Sequence, residues 1–254
     1  MSPAPVKIPL PDSWLQRRIR IAVVGAGGTG SQVVDQLASL NALLTHLDHP
    51  GIHVTVFDPD AVSESNIGRQ RFCSSDIGMN KSDVLVHRIN LFHGLSWESN
   101  PGRFTDDDGF PFKLVIGCVD TVKSRRAIAR SGAQWWLDCG NGARSGHVIL
   151  GRLRDNSDDA HPVPNWADLF SDAAEDDSGP SCSVREALRL QAWPVNHRAA
   201  QIACELLYQW LTTGFLDWHG ALFEVCPPSI TRLPIAPETW MPFGFDGRPI
   251  KRKA

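Results

Sequence analysis

The sequence has one tyrosine, three methionines and no C-x-x-C pair. Without paired cysteine spacing there is no zinc ribbon and no thioredoxin-type redox motif. The six cysteines stand at 73, 118, 139, 182, 204 and 226 in a chain of 254 residues. So dispersed, they read as reduced thiols rather than as a disulfide framework. The nine histidines show no H-x-x-x-H spacing on one helix, which predicts surface or capping roles. No apolar run approaches the roughly 18–20 residues that cross a bilayer. The N-terminal stretch MSPAPVKIPLPDSW is broken by prolines and has no apolar h-region, so no secretory signal is expected and the protein reads as cytoplasmic. Charge of one sign is also missing: 25 Lys plus Arg against 28 Asp plus Glu leaves a net charge of -3. Neither a nucleic acid nor a membrane is therefore expected as a partner.

What is present is globular. Hydrophobic residues make up 42% and charged residues 21%, outside the disordered range. The length suits one large α/β domain. Nine tryptophans read as core and interface material.

Residues 1–18 read as an N-terminal arm, and 19–254 as a single domain. Ile19 to Val24 is β-branched and nearly all apolar, which predicts a strand buried on both faces. Gly25, Gly27, Gly28 and Gly30 follow within six residues. Val33, Val34, Leu37, Leu40, Asn41 and Leu44 then recur at helical spacing. A second strand, Ile52 to Phe57, ends in Asp58. Strand, glycine turn, helix and strand make a βαβ unit, hence a parallel sheet with right-handed crossover. Residues 59–81 read as irregular. A helix from about Lys81 to Phe92, a strand over 113–119 ending at Asp120, a helix over 122–131 and a strand over 134–138 continue the alternation. Residues 144–153 suggest an antiparallel strand. The predicted class is α/β: a Rossmann-like, mainly parallel sheet with helices on both faces, extended by antiparallel strands in the C-terminal half.

The stretch 154–182 carries eight acids and no Lys or Arg between Asp155 and Asp177. It reads as a solvated loop or as a crossover over an active site. Helical patterning resumes at about 184–190 and 196–212. The tail suggests a strand at 223–226, and the basic residues at 248–253 read as a solvated end.

The glycine turn lets backbone approach a pyrophosphate at a helix N-terminus. An acid ending the next strand can accept ribose hydroxyls, and Asp58 stands there. It lies 28 residues after Gly30, against roughly 20 in dinucleotide enzymes. On these features alone a dehydrogenase and an ATP enzyme both stay open. The segment Asp58 to Gln70 adds Asn66, Arg69 and Gln70, and Lys81 follows. Arg69 and Lys81 could neutralise a triphosphate and Asn66 could orient it. Asp120 ends a strand where ligands bind in open α/β sheets. A carboxylate beside phosphates calls for an intervening Mg²⁺; its bland alternative is a helix N-cap for 121–131. Together these groups describe Mg-ATP held for attack at the α-phosphate.

GAGGTG at 25–30, DPDAVSESNIGRQ at 58–70, Lys81 and GCVDTVKSR at 117–125 resemble the adenylation domain of ThiF/MoeB-type, ubiquitin-activating-like proteins. The sequence looks closest to the ThiF-family members of the PRTRC gene cassettes of bacterial plasmids. The likeness covers 19–153 strongly and 182–212 more weakly. It implies a homodimer that adenylates the C-terminal carboxylate of a small ubiquitin-like or sulfur-carrier-like protein. By the same likeness Asp58 binds the ribose, Asn66, Arg69, Gln70 and Lys81 bind the phosphates, and Asp120 holds Mg²⁺. Thr121 replaces the family's Asn after the acid. No structural zinc is expected. Only Arg17 and Arg18 precede the first strand as candidates for the arginine that the family supplies across the dimer. Cys182 lies in GPSCSVREAL, where a helix N-terminus would favour a thiolate; in relatives that go beyond adenylation a cysteine of this region accepts the acyl group as a thioester. A conjugating enzyme would then be a further partner. The other five cysteines read as buried small hydrophobes. A scaffold that binds nucleotide without turnover and an NAD-dependent oxidoreductase are the competing readings.

Overall fold

The computed structural model describes residues 7–153, 191–236 and Thr239. The predicted crossover, the helix at 184–190, Cys182 and the basic tail lie outside the described residues. In chain order the described elements are β1 (Ile8–Pro9), α1 (Asp12–Gln16), β2 (Ile19–Val24), α2 (Gly28–His46), β3 (Ile52–Phe57), α3 (Lys81–His93), β4 (Glu98–Asn100), β5 (Leu114–Gly117), α4 (Val122–Arg130), β6 (Trp135–Asn141), β7 (Ser145–Arg152), α5 (Pro194–Thr213), β8 (Phe215–Leu216), β9 (Trp218–Val225) and β10 (Pro228–Pro234).

Eight strands form one sheet in the order β10-β9-β7-β6-β5-β2-β3-β4. The run β6 to β4 is parallel. β7, β9 and β10 continue it antiparallel, as the sequence predicts for the C-terminal half. The β2 run splits its side chains between the two faces, as strand alternation requires. Ile19, Ile21 and Val23 join the core beneath α2, α3 and α5. Ala22 and Val24 join the opposite core with Phe104, Phe112, Ile128 and Trp136. α2 buries Val33, Val34, Leu37, Leu40 and Leu44, and it packs along α5. Asn41 is buried in the same stripe, where its Oδ1 accepts the Ile52 N–H at 2.8 Å and so fixes the start of β3.

Five features differ from the sequence reading. The N-terminal arm is folded against the domain. β1 pairs with β8, and Trp14 of α1 is 1% exposed, with its ring centroid 5.0 Å from that of Trp210. β4 is an unpredicted edge strand of three polar residues, too short and without the apolar alternation that leaves a periodic signal. The strand expected at 223–226 is the end of a longer hairpin, β9–β10. Two of the cysteines read as buried, Cys73 and Cys226, are exposed. One histidine, His219, is 1% exposed rather than at the surface.

Candidate functional site

The chain runs outward from β2 through β3 to β4, then returns to the other side of β2 as β5. Neighbouring strand ends therefore feed connections in opposite directions, and a crevice opens at the carboxyl ends of β2 and β5. A cavity of about 1330 Å³ occupies this place. Gly25, Gly27, Gly28, Asp58, Asn66, Arg69, Gln70, Lys81 and Asp120 all line it. Gly30 does not line it and serves packing instead: a Cβ there would lie 1.8 Å from the Gly25 carbonyl oxygen. Gly25 has φ +94, a left-handed conformation that a side chain resists. At Gly27 a Cβ would meet nothing within 4 Å, so its face is open to the cavity.

Asp58 is 5% exposed. Its Oδ2 accepts the Ala26 N–H at 2.6 Å and its Oδ1 accepts the Asp60 N–H at 2.8 Å. The carboxylate thus ties the glycine turn to the polar loop. Burial pushes its pKa up, against the pull of these two N–H groups and of Lys81.

The polar loop is folded by its own side chains. Asn66 Oδ1 accepts the Ser63 N–H at 2.9 Å, closing a short 3₁₀ turn over Glu64–Asn66. Lys81 is nearly buried, with its Nζ 3.1 Å from Asp60 Oδ2. Asn80 caps α3 through bonds from the N–H groups of Ser82 and Asp83. Its own amide donates to the Asp58 and Asp60 carbonyls, which sets Lys81 against the loop. Among the described residues, the buried Arg69 Nε and Gln70 Oε1 have no hydrogen-bond partner. Burial lowers the Arg69 pKa, and the nearby Asp120 opposes that shift.

The bland reading of Asp120 does not hold, because the N-cap of α4 is Thr121, whose hydroxyl accepts the Ser124 N–H at 3.2 Å. The exposed Asp120 carboxylate is left to the cavity. Among the described residues no group of three metal-ligating side chains exists. One carboxylate fits Mg²⁺, which keeps several waters and takes phosphate oxygens for its remaining positions.

The sequence reading missed several wall residues. Arg103 and Asp106 come from the segment after β4. Lys123, Arg126 and Arg130 lie on one side of α4. At the glycine end, Asn196 of α5 accepts bonds from the Thr29 hydroxyl and the Asn141 amide, both at 3.0 Å. Thr29 and Asn196 are 167 positions apart, so no local pattern could reveal the pairing. Behind α4, the buried Asp138 holds Arg125 Nε at 3.2 Å and His147 Nε2 at 2.8 Å. Arg17 and Arg18 precede β2, at the amino end of the sheet, whereas the cavity lies at the carboxyl end. The six residues of β2 separate them by roughly 20 Å.

The ThiF family model matches residues 14–231. The chain belongs to the ThiF family. Ubiquitin-like modifier-activating enzyme 5 of Rattus norvegicus is 30% identical over 158 residues, covering 53% of this chain and 36% of that protein. This chain thus matches little more than a third of that relative's length. Among solved structures, PaaA covers 85% of this chain and 64% of its own, with 19% identity and a TM-score of 0.59. E. coli MccB with ATP covers the same shares, at 15% identity and a TM-score of 0.54. At these identities the two structures establish a common fold. No helix among the described residues is long and apolar enough to cross a membrane.

Proposed function

We propose that this ThiF-family chain adenylates the C-terminal carboxylate of a small ubiquitin-like protein, using ATP and releasing pyrophosphate. The observation that carries the reading is the meeting of the glycine turn, Arg69, Lys81 and Asp120 in one cavity at the switch point of the sheet. The rat relative's name and the ATP-bound MccB structure support it.

In this reading the open face at Gly27 and the N-terminus of α2 receive phosphate oxygens. Arg69 lines the cavity and offers its guanidinium to them. Lys81 is already oriented by Asp60, so its charge needs no reorganisation on binding. Asp58 accepts ribose hydroxyls with the lone pairs that Ala26 and Asp60 leave. Asp120 would hold Mg²⁺, which would supply charge neutralisation at the phosphates. The carrier's carboxylate oxygen attacks the α-phosphorus, and the bond to the bridging oxygen breaks toward pyrophosphate. Positioning and fixed charge do most of the catalysis.

The reading extends to a homodimer, since Arg17 and Arg18 could reach a cavity only on another copy. It also takes Cys182 as the thiol that next accepts the acyl group, before a conjugating enzyme. The oxidoreductase alternative falls with family membership. Two variants test the site: Asp120→Ala and Arg69→Ala are expected to abolish carrier-dependent pyrophosphate release while keeping the wild-type melting temperature. Full release in both contradicts it. Cys182→Ala is expected to keep adenylate formation and lose a thiol-labile carrier adduct; an adduct that survives overturns the transfer step.

A further inference from the structure

The cavity wall carries two thiols that the adenylation reaction does not use. β5 and β6 are parallel with Gly117 opposite Asp138. Cys118 and Cys139 are the next residue on each, so they stand side by side with side chains on the same face. Both contact the same apolar core, and both line the cavity. Neighbouring strands run roughly 4.8 Å apart, inside the span of about 4.4–6.8 Å between Cα atoms that a disulfide bridges. The nearness of Cys139 is one cause of the raised Cys118 pKa. Neither thiol is linked, and Cys118 is partly exposed.

Cys118 also supports the glycine turn. A Cβ on Gly30 would lie 3.3 Å from the Cys118 Cβ, and one on Gly25 would lie 2.5 Å from its carbonyl oxygen. Movement of the Cys118 side chain is therefore felt by the backbone that faces the ligand.

We propose that Cys118 and Cys139 form a disulfide when a two-electron oxidant of the peroxide class enters the open cavity, and that this bond weakens nucleotide binding. One sulfur attacks a peroxide oxygen, and the O–O bond breaks with release of water, leaving a sulfenic acid. The second sulfur attacks the first and expels a second water. Two S–H bonds and one O–O bond are lost; one S–S bond and two waters are formed. The neighbouring Cys139 and burial push the Cys118 pKa well above the ordinary thiol range. The thiol is protonated at neutral pH, so the reaction is slow and requires sustained oxidant. By linkage, a ligand excluded by the bond also protects the thiols from forming it.

The effect on binding rests on the nucleotide reading; formation of the bond does not. The test uses the full chain with the exposed Cys73 and Cys226 changed to serine, treated with hydrogen peroxide. Non-reducing peptide mapping is expected to show Cys118 linked to Cys139. Calorimetry is expected to show Mg-ATP affinity lowered on the order of tenfold and restored by dithiothreitol. Mg-ATP present during treatment should slow the linkage. Cys139→Ser should lose both the linkage and the fall in affinity, each judged against its own untreated sample. No linked peptide, a link from Cys139 to the buried Cys204 instead, or unchanged affinity in the linked protein overturns the proposal. If the untreated protein binds no Mg-ATP, the nucleotide reading fails, and the peptide map alone decides the bond.

Discussion

At the scale of single residues, two glycines of one turn separate ligand binding from folding. Gly30→Ala drives a Cβ into the Gly25 carbonyl at 1.8 Å, so the turn must break and the melting temperature should fall steeply. Gly27→Ala places its methyl in open cavity. It should melt like the wild type and bind Mg-ATP more weakly, by calorimetry; unchanged affinity would show that no ligand approaches that face. His219 provides a pH test. Burial lowers its pKa from 6.5 to about 4. The unfolded chain therefore takes up the proton first, and stability present above pH 6.5 is lost as pH falls toward 4. The slope is at most about 1.4 kcal/mol per pH unit. Urea unfolding across that range should flatten in His219→Gln. Glycines, Asp58, Arg69, Lys81 and Asp120 were legible because each sits in a short run with its own chemistry. Asn196 and Asn141 were not, because a buried amide has no meaning until its distant partner is known.

At the scale of elements, two attachments matter. Asp120 stands just before α4 and its Thr121 cap, and α4 is held to the sheet by Arg125 on the buried Asp138. Removing the carboxylate leaves the guanidinium without this partner, which costs on the order of 3 kcal/mol. Asp138→Ala should show that loss in urea unfolding; a change under about 1 kcal/mol would mean that α4 is held otherwise. The N-terminal arm is the second attachment. Trp14 is wedged against Trp210, which in turn meets Trp135 edge-on at 4.9 Å. Trp14→Ala should cost roughly 3–5 kcal/mol, whereas a loose arm would lose almost nothing. The buried parallel strands and α2 were readable from apolar runs and helical spacing. β4 and the docking of α1 were not: three polar residues and a five-residue helix acquire their place only from tertiary contacts.

At the scale of the whole molecule, the order of strands creates the site. The return of the chain from β4 to β5 opens the crevice, and residues from position 24 to position 196 converge on it. The alternation of strands and helices foretold a parallel sheet, and the glycine turn foretold which strand end matters. The contribution of α5 to the same wall was hidden, since it depends on a helix packing along α2 from far down the chain. The central claim is that this cavity holds Mg-ATP with Asp120 at the metal. The most direct measurement is calorimetric titration of the purified chain with Mg-ATP, NAD and NADP, repeated with Asp120→Ala. The account predicts Mg-ATP binding that weakens in the variant, and no comparable binding of either dinucleotide. Preferential binding of NAD, or Mg-ATP binding indifferent to Asp120, would contradict it.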